Sequence, residues 1–222
     1  MAGRIAYYGN IVTQGLVLDF DAANMGSNPK SGLKWYDISG NNLTGSLLNG
    51  ASFVTSDYGA VVFDGVNDVV NVTDSSVLDP TTLTISTWVK PNFSALRTTE
   101  IFVHGDNITG WYLELGGAGN PIFFIGATTR NSAFNLTPDI WQNLTITYDT
   151  TNIRFYTNGT LRSTSGNTTA ITRYTSSAKI GDWIGGGYPF SGSISSIQLY
   201  NRVLSQAEIS QNFNAYRSRY GI

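Results

Sequence analysis

Short apolar runs bounded by turn-forming residues recur along nearly the whole chain, and they restrict the fold more than any other feature. In residues 83–89 the apolar Leu83, Ile85 and Val89 alternate with polar neighbours, as in a strand that buries one face. Similar runs occupy residues 16–20, 60–63, 69–72, 100–104, 111–115, 122–125, 144–148 and 153–157. Strands this numerous and closely spaced predict an all-β protein, built as a sandwich of two antiparallel sheets.

Two local signals show where strands turn or bend. Asn158 and Gly159 follow one apolar run directly, and both tolerate the positive φ of a type I′ turn, so they predict a tight hairpin. Near the C-terminus, the alternation between Ile194 and Ile197 slips by one residue at Ser195–Ser196. A β-bulge would absorb that extra residue, and we predict one there.

One short helix is expected at the C-terminus, over about residues 206–219. Ser205 and Glu208 have the spacing of a capping box, and Leu204 is placed to pack on Ile209 as a hydrophobic staple. The helix should bury one apolar stripe against the sandwich, formed by Ile209, Phe213, Tyr216 and Tyr220. The residues expected to face water are Gln211, Asn214, Arg217 and Arg219.

Length, charge and cysteine content limit the classes of protein to which the chain could belong. The 222 residues suit one sizeable core, and a charged fraction of 13% with a net charge of −2 gives no basic stripe for nucleic acid. No apolar run approaches the roughly 20 residues that span a bilayer, and the opening residues lack a secretory pattern. The absence of cysteine fits a reducing site of synthesis. We therefore expect a chain made in a cytoplasm, without membrane insertion.

The segment FDGVNDVV carries two carboxylates, Asp64 and Asp68, between two apolar runs. Its Asx side chains and Gly65 suit a tight turn joining two strands. An alternative is a structural Ca²⁺ held by Asp64 and Asp68, since this ion takes six to eight oxygen ligands. No loop has the D-x-D-x-D-G calcium spacing, and no other cofactor is indicated.

Catalytic candidates are few. Of the three glutamates, Glu208 is explained by its capping box, and Glu100 and Glu114 lie on different predicted strands. The only histidine, His104, follows one of these strands and has no cysteine to activate, so it is expected to be structural. We predict that the protein is not an enzyme. A glycan hydrolase depending on Glu114 or Asp106 stays an alternative.

Aromatic residues beside polar loops favour sugar binding. The candidate glycan-binding residues are Trp111, Tyr112, Asp182, Trp183 and Tyr188. Aromatic faces stack on the apolar faces of sugar rings, and carboxylates accept hydrogen bonds from sugar hydroxyls. The alternative is that the tryptophans fill the edge of the sandwich or a protein contact.

An ordered series of segments resembles the laminin G-like, concanavalin A-like lectin/glucanase family. The matching segments are residues 16–21, 35–42, 62–69, 83–90, 141–149, 155–159, 179–181 and 190–209. The resemblance implies a two-sheet jelly roll over residues 15–222 that is used mainly to bind glycans or proteins, in some members with a calcium. Relatives often carry acidic residues where this chain has Ser195–Ser196, and the E-x-D-x-x-E glucanase motif is absent. The first departure weakens the expectation of a calcium site, and the second makes a binding role more favoured than hydrolysis.

Residues 1–14 precede the first predicted strand and form an expected N-terminal arm. Its apolar residues Ile5, Tyr7, Tyr8 and Ile11 should dock on the domain itself or on a neighbouring subunit. The first 24 residues also resemble the starts of tailed-bacteriophage structural proteins that carry this domain. That resemblance implies a bacteriophage virion component, as head decoration or fibre, with other virion proteins and host-surface glycans as partners and a homo-oligomeric state. A free lectin module is the alternative.

Overall fold

Two antiparallel sheets of eight strands each stack face to face in the structure, a computed structural model that describes residues 10–29, 31–92 and 97–222. The strands of the described residues are β1 (Leu16–Asp21), β2 (Lys34–Tyr36), β3 (Thr44–Leu48), β4 (Ser52–Val54), β5 (Ala60–Asp64), β6 (Val69–Val72), β7 (Leu83–Pro91), β8 (Thr99–Gly105), β9 (Gly110–Leu115), β10 (Pro121–Ile125), β11 (Thr128–Asn131), β12 (Gln142–Tyr148), β13 (Asn152–Thr157), β14 (Thr160–Gly166), β15 (Ala178–Ile180) and β16 (Ser191–Tyr200). The predicted all-β sandwich is confirmed.

The strand order explains how the sandwich closes. Sheet 1 runs β14-β13-β12-β7-β16-β5-β4, with β1 also paired to β16, and sheet 2 runs β11-β10-β9-β8-β15-β6-β3-β2. The core between them is continuous and includes the predicted inward face of β7, where Leu83, Ile85 and Val89 are fully buried. Burial of each such side chain contributes about 1.5–3 kcal/mol, so the interleaved inner faces supply most of the stabilisation.

Both predicted local signals are confirmed. Asn158 and Gly159 join β13 to β14 with φ angles of 49° and 74°, as a two-residue hairpin requires. The pairing of β16 with β7 shifts register between Ile194 and Ser196, which is the predicted bulge. The bulge matters for topology, because β16 pairs with β5 before it and with β1 after it along the same edge.

The FDGVNDVV segment is a turn, but it does not close a hairpin. Strand β5 before it belongs to sheet 1 and β6 after it belongs to sheet 2, so the turn carries the chain across the sandwich. The Oδ1 atom of Asp64 accepts from the amide of Val66 at 2.8 Å, and Oδ2 of Asp68 accepts from the amide of Asp64 at 2.9 Å. The Asx side chains therefore bond local amides as predicted, whereas the two strands pair with other partners.

Helix α1 (Gln206–Arg217) continues into a 3₁₀ turn (Ser218–Tyr220) and covers the outer face of sheet 1. Its capping box between Ser205 and Glu208 is formed as predicted. The predicted stripe is buried, and Trp88 of β7 stacks on Tyr220 with ring centroids 4.0 Å apart. One expectation was wrong: Arg219 does not face water, because its guanidinium binds the buried carboxylate of Asp21 at 2.8 and 2.9 Å.

Residues 10–14 lie against the domain. The amide of Val12 donates to Oδ1 of Asn212 at 2.8 Å, and the carbonyl of Val12 accepts from the hydroxyl of Tyr200 at 2.9 Å. Ile11 packs beside the cluster that includes Trp88 and Phe213. The second part of the predicted arm is therefore integrated into the jelly roll, whereas Ile5, Tyr7 and Tyr8 lie outside the described residues.

Candidate functional site

The outer face of sheet 2 carries polar and aromatic side chains at the hairpin of β8 and β9. A register shift between Glu100 and Phe102 marks a bulge at Ile101 in β8. Because of this bulge, Phe102 packs in the core while Glu100 lies opposite Glu114 of β9. Tyr112 lies two residues before Glu114 and therefore on the same outer face.

The loop after β15 forms the second wall of the site. It leaves the sheet at Gly181, whose φ is +90° and whose added Cβ would lie 2.3 Å from the ring of Phe63. No other residue type fits there without displacing that ring. The Oδ1 atom of Asp182 accepts from the amides of Trp183 at 2.8 Å and Tyr188 at 2.9 Å, which folds the loop over β8.

These elements enclose a pocket of about 340 Å³ on the protein surface. The ring of Tyr112 stacks on Phe124 of β10 at 4.1 Å between centroids and meets Trp183 edge-on at 4.8 Å. Tyr188 meets Trp183 at 6.3 Å and is 45% exposed. The lining residues are Thr98, Glu100, Asn107, Tyr112, Glu114, Phe124, Trp183 and Tyr188.

Two neighbouring carboxyl groups form the polar floor of this pocket. Glu100 and Glu114 are both buried, and desolvation raises the pKa of Glu100 well above its usual range, with the neighbouring charge of Glu114 adding to the effect. Desolvation also raises the pKa of Glu114 to about 7. Two carboxylates in contact cannot both ionise cheaply, so the pair shares a proton near neutral pH.

The structure brings together four of the five residues predicted for glycan binding. Tyr112, Trp183 and Tyr188 line the pocket, and Asp182 supports its loop. Trp111 does not belong to the site: it is fully buried on the core face of β9, and its indole Nε1 donates to the carbonyl of Leu78 at 2.7 Å. The residue beside Tyr112 must point to the opposite face of the sheet, which excludes Trp111 from this surface.

Sequence reasoning missed Glu100, Glu114 and Phe124 as members of the site. The two glutamates lie on different strands and far apart in sequence, yet those strands are neighbours in the sheet. The signal was available in part, because residues 105–110 form a short connection between the strands and such connections usually make hairpins.

The two aspartates proposed for calcium lie elsewhere, in the turn between β5 and β6. One oxygen of each accepts a hydrogen bond from an amide of that turn, and Oδ1 of Asp68 is buried without a hydrogen-bond partner. Within residues 10–29, 31–92 and 97–222, no three histidine, aspartate or glutamate side chains are grouped as a metal site. Two carboxylates engaged in this way do not fit the six to eight oxygens that Ca²⁺ takes, and calcium there stays a prediction.

The other residues considered for catalysis have structural contacts. His104 is fully buried on the core face of β8, with Nε2 3.1 Å from Oδ1 of Asp79, and desolvation lowers its pKa. The Oδ1 atom of Asp106 accepts from the amides of Ile108 and Thr109, which closes the loop between β8 and β9. Neither residue lines the pocket.

A two-sheet jelly roll with an aromatic pocket on its outer face defines a lectin-like domain. Residues 64–210, more than half of the chain, match the model of the concanavalin A-like lectin/glucanases superfamily. The chain belongs to this family. No curated protein sequence matches the chain significantly.

Solved structures share the fold at low sequence identity. Botulinum neurotoxin type C, whose cell uptake depends on two ganglioside molecules, is similar with a TM-score of 0.73 and 16% identity over 92% of this chain and 52% of that chain. Domain 4 of the arabinanase AbnA from Geobacillus stearothermophilus, in complex with arabinotriose, gives a TM-score of 0.69 and 19% identity over 89% of this chain and 97% of that chain. The binding domain of Paraclostridial Mosquitocidal Protein 1 gives a TM-score of 0.70 and 18% identity, covering 91% of this chain and 52% of that chain. The chain thus spans about half the length of the toxin chains.

The helices within the described part of the chain are too short or too polar to cross a membrane.

Proposed function

We propose that the protein is a lectin-like module that binds glycans in the pocket on sheet 2. The observation that carries this proposal is the group of aromatic rings of Tyr112, Trp183 and Tyr188 beside buried carboxyl groups. A sugar offers apolar C–H faces for the rings and hydroxyls for the carboxyl oxygens. The fold's relatives include structures described with gangliosides and arabinotriose, which supports the same use here.

Binding without hydrolysis is the form of the proposal that the carboxyl pair supports. Retaining glycosidases hold their two carboxyls about 5–5.5 Å apart and inverting ones about 6.5–9.5 Å, so that the scissile bond lies between them. Glu100 and Glu114 instead lie side by side on one face of neighbouring strands, where their carboxyl groups interact with each other.

Removal of an aromatic wall should weaken glycan binding. On a broad glycan array followed by titration with the strongest glycan, we expect Trp183→Ala and Tyr188→Ala each to lower affinity by up to about tenfold, as the loss of a ring contact implies. Tyr36→Ala is the matched control, because Tyr36 on β2 is 41% exposed against 45% for Tyr188 and does not line the pocket. No binding by the wild-type protein, or equal affinities in all variants, would refute the proposal.

A virion setting for this module is the second part of the proposal, with repeated copies on a bacteriophage particle as head decoration or fibre. It is supported by the resemblance of the first 24 residues to phage structural proteins. The contacts of Val12 and Ile11 refine it, because residues 10–14 pack on the domain and the proposed attachment is therefore assigned to residues 1–9.

Deletion of residues 1–9 should therefore abolish incorporation into particles and leave the domain folded. Mass spectrometry of purified particles measures the copy number, and thermal melting of the free protein measures folding. We expect an unchanged melting temperature because the bonds of residues 10–14 to Asn212 and Tyr200 are retained. Normal incorporation of the shortened chain would contradict attachment through this segment.

A further inference from the structure

We propose that the pocket on sheet 2 selects glycans whose sugars carry a free ammonium group, as in unacetylated amino sugars. This inference rests on the proposed glycan-binding function and names the class of sugar that the same site takes. It follows from one unpartnered oxygen, from the charge of the surrounding groups and from the aromatic walls.

The first observation is an acceptor without a donor. Glu100 is 1% exposed and lines the pocket, and its Oε2 atom has no hydrogen-bond partner. A buried carboxyl oxygen left unpaired costs free energy, so a ligand that donates to it gains more than it would at an exposed site. The strongest donor to a carboxylate is a cationic N–H group.

The charged groups around this oxygen favour a cation. Glu114 lies opposite Glu100, and the charge of Asp182 also raises the pKa of Glu100. Lys179 on β15 binds the loop of the pocket, because its ammonium donates to the carbonyls of Trp183 at 3.2 Å and Ile184 at 2.6 Å. No lysine or arginine of the described residues lines the pocket. The site would therefore repel the carboxylate of an acidic sugar.

The walls suit an ammonium better than a metal ion. Tyr112, Trp183 and Tyr188 present aromatic rings, which attract an organic cation through their negative faces. A hard metal ion needs six or more oxygen ligands, and the described residues group no three acidic or histidine side chains for one. An amino sugar satisfies both parts of the pocket, since its ring contacts the aromatic side chains while its ammonium donates to Glu100.

The raised pKa values of the carboxyl pair predict that binding of an ammonium group releases a proton, which can be measured. Desolvation raises the pKa of Glu114 to about 7 and that of Glu100 well above its usual range, whereas an adjacent ammonium favours the ionised form. Tyr112 stays neutral because burial raises its pKa, and Asp106 is bonded to the amides of its own loop. Binding of an ammonium should therefore release a proton from the pair, and binding of a neutral sugar should not.

The test compares three β-1,4-linked oligosaccharides of equal length, made of glucose, N-acetylglucosamine or glucosamine. Isothermal titration just below pH 7, where Glu114 still holds part of its proton, gives affinities. Repeating it in buffers of different ionisation enthalpy counts released protons. We expect the wild-type protein to bind the glucosamine oligomer at least tenfold more tightly than the other two and to release a proton only with it.

Glu100→Gln and Glu114→Gln should each remove the preference for the glucosamine oligomer and the proton release. Asp139→Asn is the control: Asp139 is exposed, does not line the pocket, and has a φ of 57° that asparagine also adopts. The comparison of the three oligosaccharides uses the wild-type protein, so it does not depend on whether any variant folds. Equal affinity for all three oligomers, a preference for a neutral one, or no binding of the glucosamine oligomer would overturn the inference. Binding of neutral glycans that depends on Trp183 would leave the proposed function intact.

Discussion

Replacement of Arg219 by methionine should lower the free energy of unfolding by about 3–5 kcal/mol, the usual cost of breaking a buried ion pair by removing one of its members. Asp21 is fully buried, and both of its carboxylate oxygens accept from the Arg219 guanidinium. The same guanidinium lies 4.7 Å from the ring centroid of Tyr216, so the change also removes a cation–π contact. Urea titration followed by tryptophan fluorescence gives the measurement.

The matched control is Arg217→Met, two residues earlier on the same helix. Arg217 is exposed, contacts the ring of Phe213 at 5.5 Å and donates to the carbonyl of Ile222, so its loss should cost less than about 1 kcal/mol. The double variant Arg219→Met with Asp21→Asn should recover part of the lost stability, because the buried carboxylate charge that Arg219 balances is removed as well. Equal effects of the two arginine variants would show that the Asp21 pair does not anchor the helix end.

The helix shows what the sequence could and could not predict. Its start depends on residues three apart, Ser205 and Glu208, and such a local pattern is visible in the chain. Its end depends on Asp21, which lies 198 residues away from Arg219. The helical periodicity of the sequence predicts that an arginine outside the apolar stripe faces water. A buried partner as distant in sequence as Asp21 is revealed only when the structure places β1 beside the helix.

The residues of the pocket likewise fall into a group that the sequence predicts and a group that it does not. The aromatic residues of the loop after β15 were found because their side chains and the surrounding glycines are conspicuous in the sequence. The carboxyl pair depends on the bulge at Ile101, since an unbroken β8 that buried Phe102 would also turn Glu100 toward the core. The extra residue of the bulge moves the side chains that precede it in β8 to the opposite face of the sheet. Because Ile101 and Phe102 are both apolar, the alternation of the sequence does not reveal which residue is the extra one.

The same carboxyl pair should make stability fall as the pH rises through neutrality. The pKa of Glu114 is 4.5 when unfolded and about 7 when folded, so between these values the folded state binds more protons than the unfolded state. Stability is therefore greatest below the unfolded pKa and declines until the pH passes the folded pKa. Glu100 and Glu114 titrate as a coupled pair, so this loss of stability with rising pH belongs to the pair.

Glu114→Gln removes the titration of Glu114 together with its share of the raised pKa of Glu100, and glutamine keeps the shape of the side chain without its charge. We expect the unfolding free energy of wild type minus that of the variant to fall as the pH rises from about 5 to about 8. Asp19, whose pKa burial raises to about 7, and His104, whose pKa burial lowers, titrate in both proteins and so cancel in that difference.

Glu208→Gln is the control, because folding lowers the pKa of Glu208 whereas it raises the pKa of Glu114. The hydrogen bond from Arg202 lowers the pKa of Glu208 to about 2, so its stabilisation is complete above the unfolded pKa of 4.5 and is lost only as the pH falls toward 2. The difference between wild type and this variant should therefore be nearly constant from about pH 5 to about pH 8. Parallel stability curves for wild type and Glu114→Gln over the same interval would mean that folding does not raise the pKa of Glu114, and the proton release expected from Glu114 on ammonium binding would lose its source.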